Sequence, residues 1–133
     1  MHHGFWPPAT GDSTNNARWF EIDPQLVNEI WAVTAPGMVD YAVAKSEWAA
    51  RITSDGFGLE PTLFYAAMYS AAFFEQDVDA LIDIGREALP ASGRFRGVID
   101  EMRALHAENP EDWQTARRAL YERYYPRQAY NLY

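Results

Sequence analysis

Residues 61 to 74 read PTLFYAAMYSAAFF, and none of these side chains is charged. Folded as a helix, the stretch is apolar on every side, and helices of this kind are normally buried all round. Its fourteen residues are fewer than the ~20 that a helix needs to cross a bilayer. Ala67, Ser70 and Ala71 keep one strip of the helix small, which lets a neighbouring helix approach closely. The stretch therefore predicts a buried helix at the centre of the fold.

Five further helices are predicted around the central one, because apolar residues recur at helical spacing on both sides of it. Prolines, glycines and short polar side chains mark where these helices end. They cover about residues 24–35, 38–53, 78–89, 94–106 and 110–125, and Asp23, Asp77 and Asn109 are their predicted capping residues. In the helix over residues 38–53, the predicted apolar face carries Tyr41, Ala44, Trp48 and Ile52.

Connections of roughly two to six residues between these helices imply antiparallel neighbours around one core. The sequence therefore predicts an all-α protein of about six short-looped antiparallel helices around a buried central helix. Residues 1–23 are predicted to be an irregular N-terminal segment, residues 24–125 a helical domain and residues 126–133 a C-terminal tail. The tail ends in apolar aromatic residues, as expected of a chain that is cut within its fold.

The charge of the chain restricts the class of partner. It has 133 residues and a formal net charge of −8, and its eleven Lys and Arg residues are scattered. Nucleic-acid binding normally needs a basic face, so neither DNA nor RNA is an expected partner. An anionic membrane surface is not expected for the same reason. The absence of cysteine excludes thiol chemistry, and the N-terminal residues do not form a signal peptide, so we expect a cytoplasmic protein.

Two polar loops are candidate sites. Residues 10–14 place Asp12 between hydroxyl side chains, a pattern that suits either an ordinary turn or a hard cation such as Mg²⁺. Residues 53–58 join an amphipathic helix to the central helix, so rigid elements hold this loop. Its glycines admit a ligand close to the backbone, and Asp55 is placed to accept hydrogen bonds from ribose hydroxyls. The alternative to a ligand site is that these residues form only a helix C-cap followed by a turn.

Several aromatic residues lie outside the apolar stripes of the predicted helices. They are candidates either for lining a cleft or for contacting structure that this chain lacks, and they are Phe5, Trp6, Trp19, Phe20, Phe57 and the tyrosines of the tail.

Several segments of the chain, taken in order, resemble the middle of the ADP-ribosylglycohydrolase family. The family includes enzymes similar to dinitrogenase reductase-activating glycohydrolase, and the resemblance covers roughly residues 15 to 125. The segments that carry it are residues 18–24 (RWFEIDP), 27–38 (VNEIWAVTAPGM), 51–56 (RITSDG), 64–68 (FYAAM), 71–74 (AAFF) and 88–90 (ALP), with Trp113 downstream.

This resemblance implies an all-α fold and hydrolysis of an N- or O-glycosidic bond to ADP-ribose, assisted by a pair of Mg²⁺ ions. In the family, a Thr-Asp-Asp-Thr-like motif near the start and an Asp-x-Asp-Ser/Thr motif near the end hold the metals. Neither motif occurs in this sequence. The resemblance therefore assigns no catalytic residue and no metal ligand to the chain.

The resemblance does place one loop at the substrate. The corresponding helix of the family ends in Thr-His, which faces the substrate ribose; here Thr53 matches and Ser54 stands where the histidine is expected. The predicted substrate-binding residues are Thr53, Ser54, Asp55 and Gly56, with ADP-ribose or an ADP-ribosylated substrate as partner. We expect a fragment or truncated relative of such a hydrolase, inactive alone, and the alternative is a non-catalytic helical binding module.

Overall fold

The computed structural model describes residues 4 to 124, and the predicted tail over residues 126–133 lies outside them. Within the described range the chain forms seven α-helices and no strand, which confirms the all-α prediction. The helices are α1 (Asp23–Val27), α2 (Glu29–Val33), α3 (Val39–Ala50), α4 (Glu60–Ala71), α5 (Val78–Glu87), α6 (Arg94–Glu108) and α7 (Trp113–Tyr124). A short 3₁₀ helix, Gly56–Gly58, precedes α4. No helix of the described part is long and apolar enough to cross a membrane.

Helix α4 is the predicted central helix. It packs against α1, α2, α3, α5 and α6, and eight of its twelve residues are buried. Leu63 and Phe64 belong to the main apolar cluster. Its other buried members are Leu89, which lies just after the end of α5, and Ile99 of α6. Burial is not complete, because Tyr69 near the end of α4 is 40% exposed, and Phe73 and Phe74 of the predicted stretch lie beyond the end of the helix and are exposed. The prediction of a central buried helix is therefore confirmed, with one open side.

The first predicted helix is divided into α1 and α2 at Asn28. This buried side chain donates from Nδ2 to the carbonyl oxygen of Pro24 at 2.8 Å and accepts from the indole nitrogen of Trp31 at 3.1 Å. An asparagine that bonds to nearby backbone competes with the helical ladder, which explains the interruption. Asp23 also lies inside α1 rather than capping it, since Ile22 holds the capping position.

The orientation of α3 is the reverse of the prediction. Its buried residues are the small Ala42, Ser46 and Ala50, whereas Tyr41 and Trp48, with Ile52 just beyond its end, are exposed. Small side chains on the inner face allow the axis of α3 to lie close to that of α4, and the large side chains then remain outside. The periodicity was helical, but the wrong stripe was assigned to the core.

Among the last three helices, aspartates cap the starts of α5 and α7, and ion pairs link α5 to α6. Asp77 caps α5 by accepting from the amide of Ala80 at 2.9 Å, as predicted. The cap of α7 is Asp112, which accepts from the amide of Thr115 at 3.0 Å, and not the predicted Asn109. Helices α5 and α6 are linked by several ion pairs: Arg86 with Asp100, and Arg103 with Asp79 and Asp83.

Two glycines in neighbouring helices are expected to respond in opposite ways to alanine. A Cβ on Gly85 would lie 2.8 Å from Met68 and from the ring of Phe64, so Gly85→Ala should lower the free energy of unfolding by about 1–3 kcal/mol through overpacking. A Cβ on Gly97 meets nothing within 4 Å, so Gly97→Ala should raise it by up to about 1 kcal/mol. Urea denaturation of both variants measures this, and a shift of the same sign in both would contradict the packing of α5 on α4.

Two buried hydroxyls of α4 offer a second comparison. Ser70 donates to the carbonyl oxygen of Ala35 at 2.7 Å, so Ser70→Ala should cost about 1 kcal/mol. Thr62 is buried and its hydroxyl has no hydrogen-bond partner within residues 4–124. Thr62→Val keeps the shape and removes the unpaired group, so it should leave stability unchanged or raise it. Equal losses in thermal unfolding of the two variants would show that the Ser70 bond has no particular role.

Candidate functional site

The two candidate loops of the sequence lie against each other. The hydroxyl of Thr10 donates to the carbonyl oxygen of Ile52 at 2.7 Å, and the side-chain amide of Asn16 donates to that of Thr53 at 2.7 Å. The amide of Ser13 donates to Asp55 at 3.2 Å. The turn over residues 10–14 therefore covers one side of the loop that follows α3.

Gly11 allows this close approach. A Cβ at this position would lie 2.2 Å from the carbonyl oxygen of Arg51 and 2.8 Å from that of Ser54, distances at which no side chain fits. The backbone of the N-terminal segment thus rests directly on the end of α3. A larger residue at Gly11 would force the two loops apart.

Asp55 is held by the backbone on both of its oxygens. One oxygen accepts from the amide of Ser13, and the other accepts from the amide of Gly56 at 2.8 Å and lies 3.8 Å from the guanidinium of Arg51. These amide donors, that of Ser13 first, hold the pKa of Asp55 below its usual value. The carboxylate therefore acts as a local cap that fastens the N-terminal turn to the loop.

Asp12 is held in a similar way within its own turn. It accepts from the hydroxyl of Thr14 at 2.5 Å and from the amide of Thr14 at 2.8 Å, and these bonds lower its pKa while the nearby charge of Asp55 opposes the shift. The donors on the two carboxylates are N–H and O–H groups: Oδ1 of Asp12 accepts twice and each oxygen of Asp55 accepts from one amide, which uses part of the acceptor capacity of each carboxylate. Within residues 4–124 no group of three acidic or histidine side chains comes together. The Mg²⁺ pair implied by the family resemblance does not fit this donor set.

The other predicted contact residues differ in exposure. Thr53 and Gly56 are exposed, and Ser54 is buried with its hydroxyl unpaired among the described residues. Gly56 has a φ of +49°, and a Cβ there would lie 3.1 Å from the ring of Trp19. The surface that a ligand can reach at this loop is thus the Thr53 side chain and the backbone near Gly56.

A cleft of about 470 Å³ lies on the other side of the 3₁₀ helix. Phe20 and Phe57, which fall outside the predicted apolar stripes, line it as the sequence suggested. Sequence reasoning missed the two arginines of the cleft, Arg94 and Arg117, because they come from different helices. The guanidinium carbon of Arg94 lies 4.0 Å from the ring centroid of Phe57.

Comparison with known proteins adds no family to this description. No protein-family model, no curated protein and no solved structure matches the chain.

Stability in acid should depend on Asp55. Because its pKa is lowered by folding, its ionised form stabilises the protein above the ordinary Asp pKa of about 4, and this contribution is lost as the pH falls through the folded value. We expect Asp55→Asn to be less stable than the wild type at pH 7 and to lose less of its stability between pH 6 and pH 3. Urea denaturation at each pH measures the difference.

The matched control is Glu122→Gln, which removes an exposed charge near the end of α7. It should follow the wild-type pH dependence. If Asp55→Asn also follows the wild-type curve, the bonds of Asp55 to Ser13 and Gly56 do not stabilise the fold.

Proposed function

We propose that the chain is the helical portion of an ADP-ribosylglycohydrolase-like protein, acts in the cytoplasm, and contacts ADP-ribose through the loop after α3. The observation that carries the proposal is the series of ordered segments that resemble that family, from residue 18 to residue 90. The partner would be ADP-ribose or an ADP-ribosylated substrate.

The packing of these segments supports treating them as one unit. The turn between α2 and α3 contains Ala35 and Gly37, which belong to one quoted segment, and Ser70 of α4 bonds to both. The hydroxyl of Ser70 donates to the carbonyl oxygen of Ala35 at 2.7 Å, and its carbonyl oxygen accepts from the amide of Gly37 at 2.8 Å. The ring of Phe74, in another quoted segment, lies against Gly37. Residues 35–37 and residues 70–74 are thus in contact although they are far apart in the sequence, which supports treating the segments as parts of one domain.

The geometry of the loop divides its residues between two roles. Thr53 offers an exposed side chain, whereas the exposed Gly56 has its amide bonded to Asp55 and its carbonyl oxygen bonded to Leu59. Ser54 is buried, and Asp55 is half-buried and holds the loop in shape through its bonds to the amides of Ser13 and Gly56. In this proposal Thr53 is the direct contact to a sugar hydroxyl, and Asp55 is a positioning residue.

Hydrolysis is not proposed for this chain alone. The metal chemistry implied by the resemblance needs several carboxylates that converge on one point, and within residues 4–124 no group of three acidic or histidine side chains comes together. The purified chain, incubated with an ADP-ribosylated substrate and Mg²⁺, is expected to release no ADP-ribose. Mg²⁺-dependent release would contradict this and would make Asp12 a candidate ligand.

A second candidate function is a non-catalytic binding module. The cleft beside the 3₁₀ helix favours it, because aromatic rings and two arginines converge there without a catalytic group.

Binding of ADP-ribose tests the first candidate. Calorimetric titration is expected to show saturable binding to the wild type and about fivefold weaker binding to Thr53→Val, since the loss of one hydrogen bond costs ~1 kcal/mol. Thr34→Val, which changes an exposed threonine at the end of α2, is the control and should bind like the wild type. Equal affinity of the wild type and Thr53→Val, or no binding at all, would remove the loop from the proposal.

A further inference from the structure

The cleft introduced above lies between the N-terminal segment, the 3₁₀ helix, the first turns of α4 and α6, and α7. Its volume of about 470 Å³ is within the roughly 300–1,000 Å³ that is typical of small-molecule sites. Five aromatic rings line it, those of Phe20, Phe57, Phe95, Tyr121 and Tyr124. A flat apolar ligand would therefore find ring faces and edges on several sides.

The two arginines of this cleft differ from most others in the chain. Arg18, Arg51, Arg86, Arg96, Arg103 and Arg123 each form an ion pair with a carboxylate. Arg94, Arg117 and Arg118 form none within residues 4–124, and the first two of these line the cleft. In a protein with a net charge of −8, two cations without an acidic partner at one cleft indicate a site for an anion.

The position of the Arg94 guanidinium leaves it able to bind an anion. One face of its guanidinium lies on the ring of Phe57, at 4.0 Å from the centroid. The N–H groups of a guanidinium lie in its plane, so stacking of the face leaves the edge available for a carboxylate or phosphate. Arg94 is also the first residue of α6, where the helix dipole favours negative charge.

Acidic side chains near the cleft are already engaged. Glu60 is buried and accepts from the amide of Phe95 at 2.7 Å. Glu101 accepts from the hydroxyl of Tyr124 at 2.6 Å and pairs with Arg123 at 2.7 Å. Neither carboxylate pairs with Arg94 or Arg117, so the positive potential of the two arginines is not cancelled by direct contact.

We propose that this cleft binds a small molecule in which a flat aromatic ring carries an anionic group, either a carboxylate or a phosphate. The ring lies among Phe20, Phe57 and Phe95, and the anion bonds to Arg94 and Arg117. The site is separate from the contact of ADP-ribose with Thr53, so the inference does not rest on the first proposed function; it names the ligand class for the second, the binding module.

The test uses three naphthalene compounds that differ only in the attached group: 2-naphthoate, 2-naphthyl phosphate and the uncharged 2-naphthamide. Titrations followed by calorimetry or NMR are expected to show that at least one of the two anions binds the wild-type chain about tenfold or more tightly than the amide. The variant Arg94→Gln/Arg117→Gln should lose this preference and bind the amide as the wild type does. The anion that binds more tightly identifies which group the site prefers.

Arg118→Gln is the matched control, because Arg118 is the next residue on α7, also lacks an ion pair within residues 4–124, and does not line the cleft. It should keep the preference for the anion, and so should Thr53→Val, which tests the separate ADP-ribose contact. Circular dichroism melting shows whether each variant is folded, and a loss of fold is not expected because Arg94 and Arg117 are exposed.

Three results would overturn the inference. They are equal binding of the anions and the amide to the wild type, a preference that survives in the double variant, and a preference that is lost in Arg118→Gln or Thr53→Val. A failure of ADP-ribose to bind leaves all of these measurements intact, so the two proposals fail separately.

Discussion

The close packing of α3 against α4 is the constraint on which the other features depend. Ala42, Ser46 and Ala50 face inward from α3, and the buried Ala67 and Ser70 belong to α4. Side chains this small let the two helices approach closely, and the hydroxyls of Ser46 and Ser70 bond to the carbonyl oxygens of Asn28 and Ala35 beside them. Large residues on either inner face would separate the helices and remove the support of the turn that Ser70 holds.

The same packing decides what remains on the outside. With the small stripe of α3 turned inward, Tyr41 and Trp48 lie on the surface, where Lys45 sits 5.7 Å from each ring centroid. Trp31 meets Trp48 edge to face at 6.4 Å, so the surface aromatics form a layer of their own. A hydropathy pattern ranks such residues as core, because it measures how apolar a side chain is and not how close the partner helix must come.

This explains how much of the fold was predictable from the sequence. The central helix was predicted because fourteen residues without charge leave no face that prefers water. The division at Asn28 was missed, since it depends on a side chain competing for the carbonyl oxygen of Pro24. The cap of α7 was misplaced from Asp112 to Asn109 because both residues have side chains suited to capping, and only the geometry of the turn selects one.

Prediction of the candidate sites was limited because the residues that contact each other there are far apart in the sequence. The loop at residues 53–58 and the turn at residues 10–14 were each recognised from local residue types, but nothing local indicates that Asp55 bonds to Ser13, 42 residues earlier. The aromatic side of the cleft had a weak signal, because Phe20 and Phe57 fall outside any helical stripe. Arg117 had none, since a solvent-facing arginine of α7 looks like any other polar residue of an amphipathic helix.

Trp19 connects the loop to the cleft. Its carbonyl oxygen accepts from the amide of Asp55 at 3.1 Å, while its ring lies 4.8 Å from that of Phe57, which lines the cleft. At Gly58 a Cβ would come within 2.5 Å of the same carbonyl oxygen, so the backbone there cannot retreat from Trp19 without opening a gap. Trp19 is therefore the contact between the two regions, and it packs against both without being a side chain proposed to touch a ligand in either.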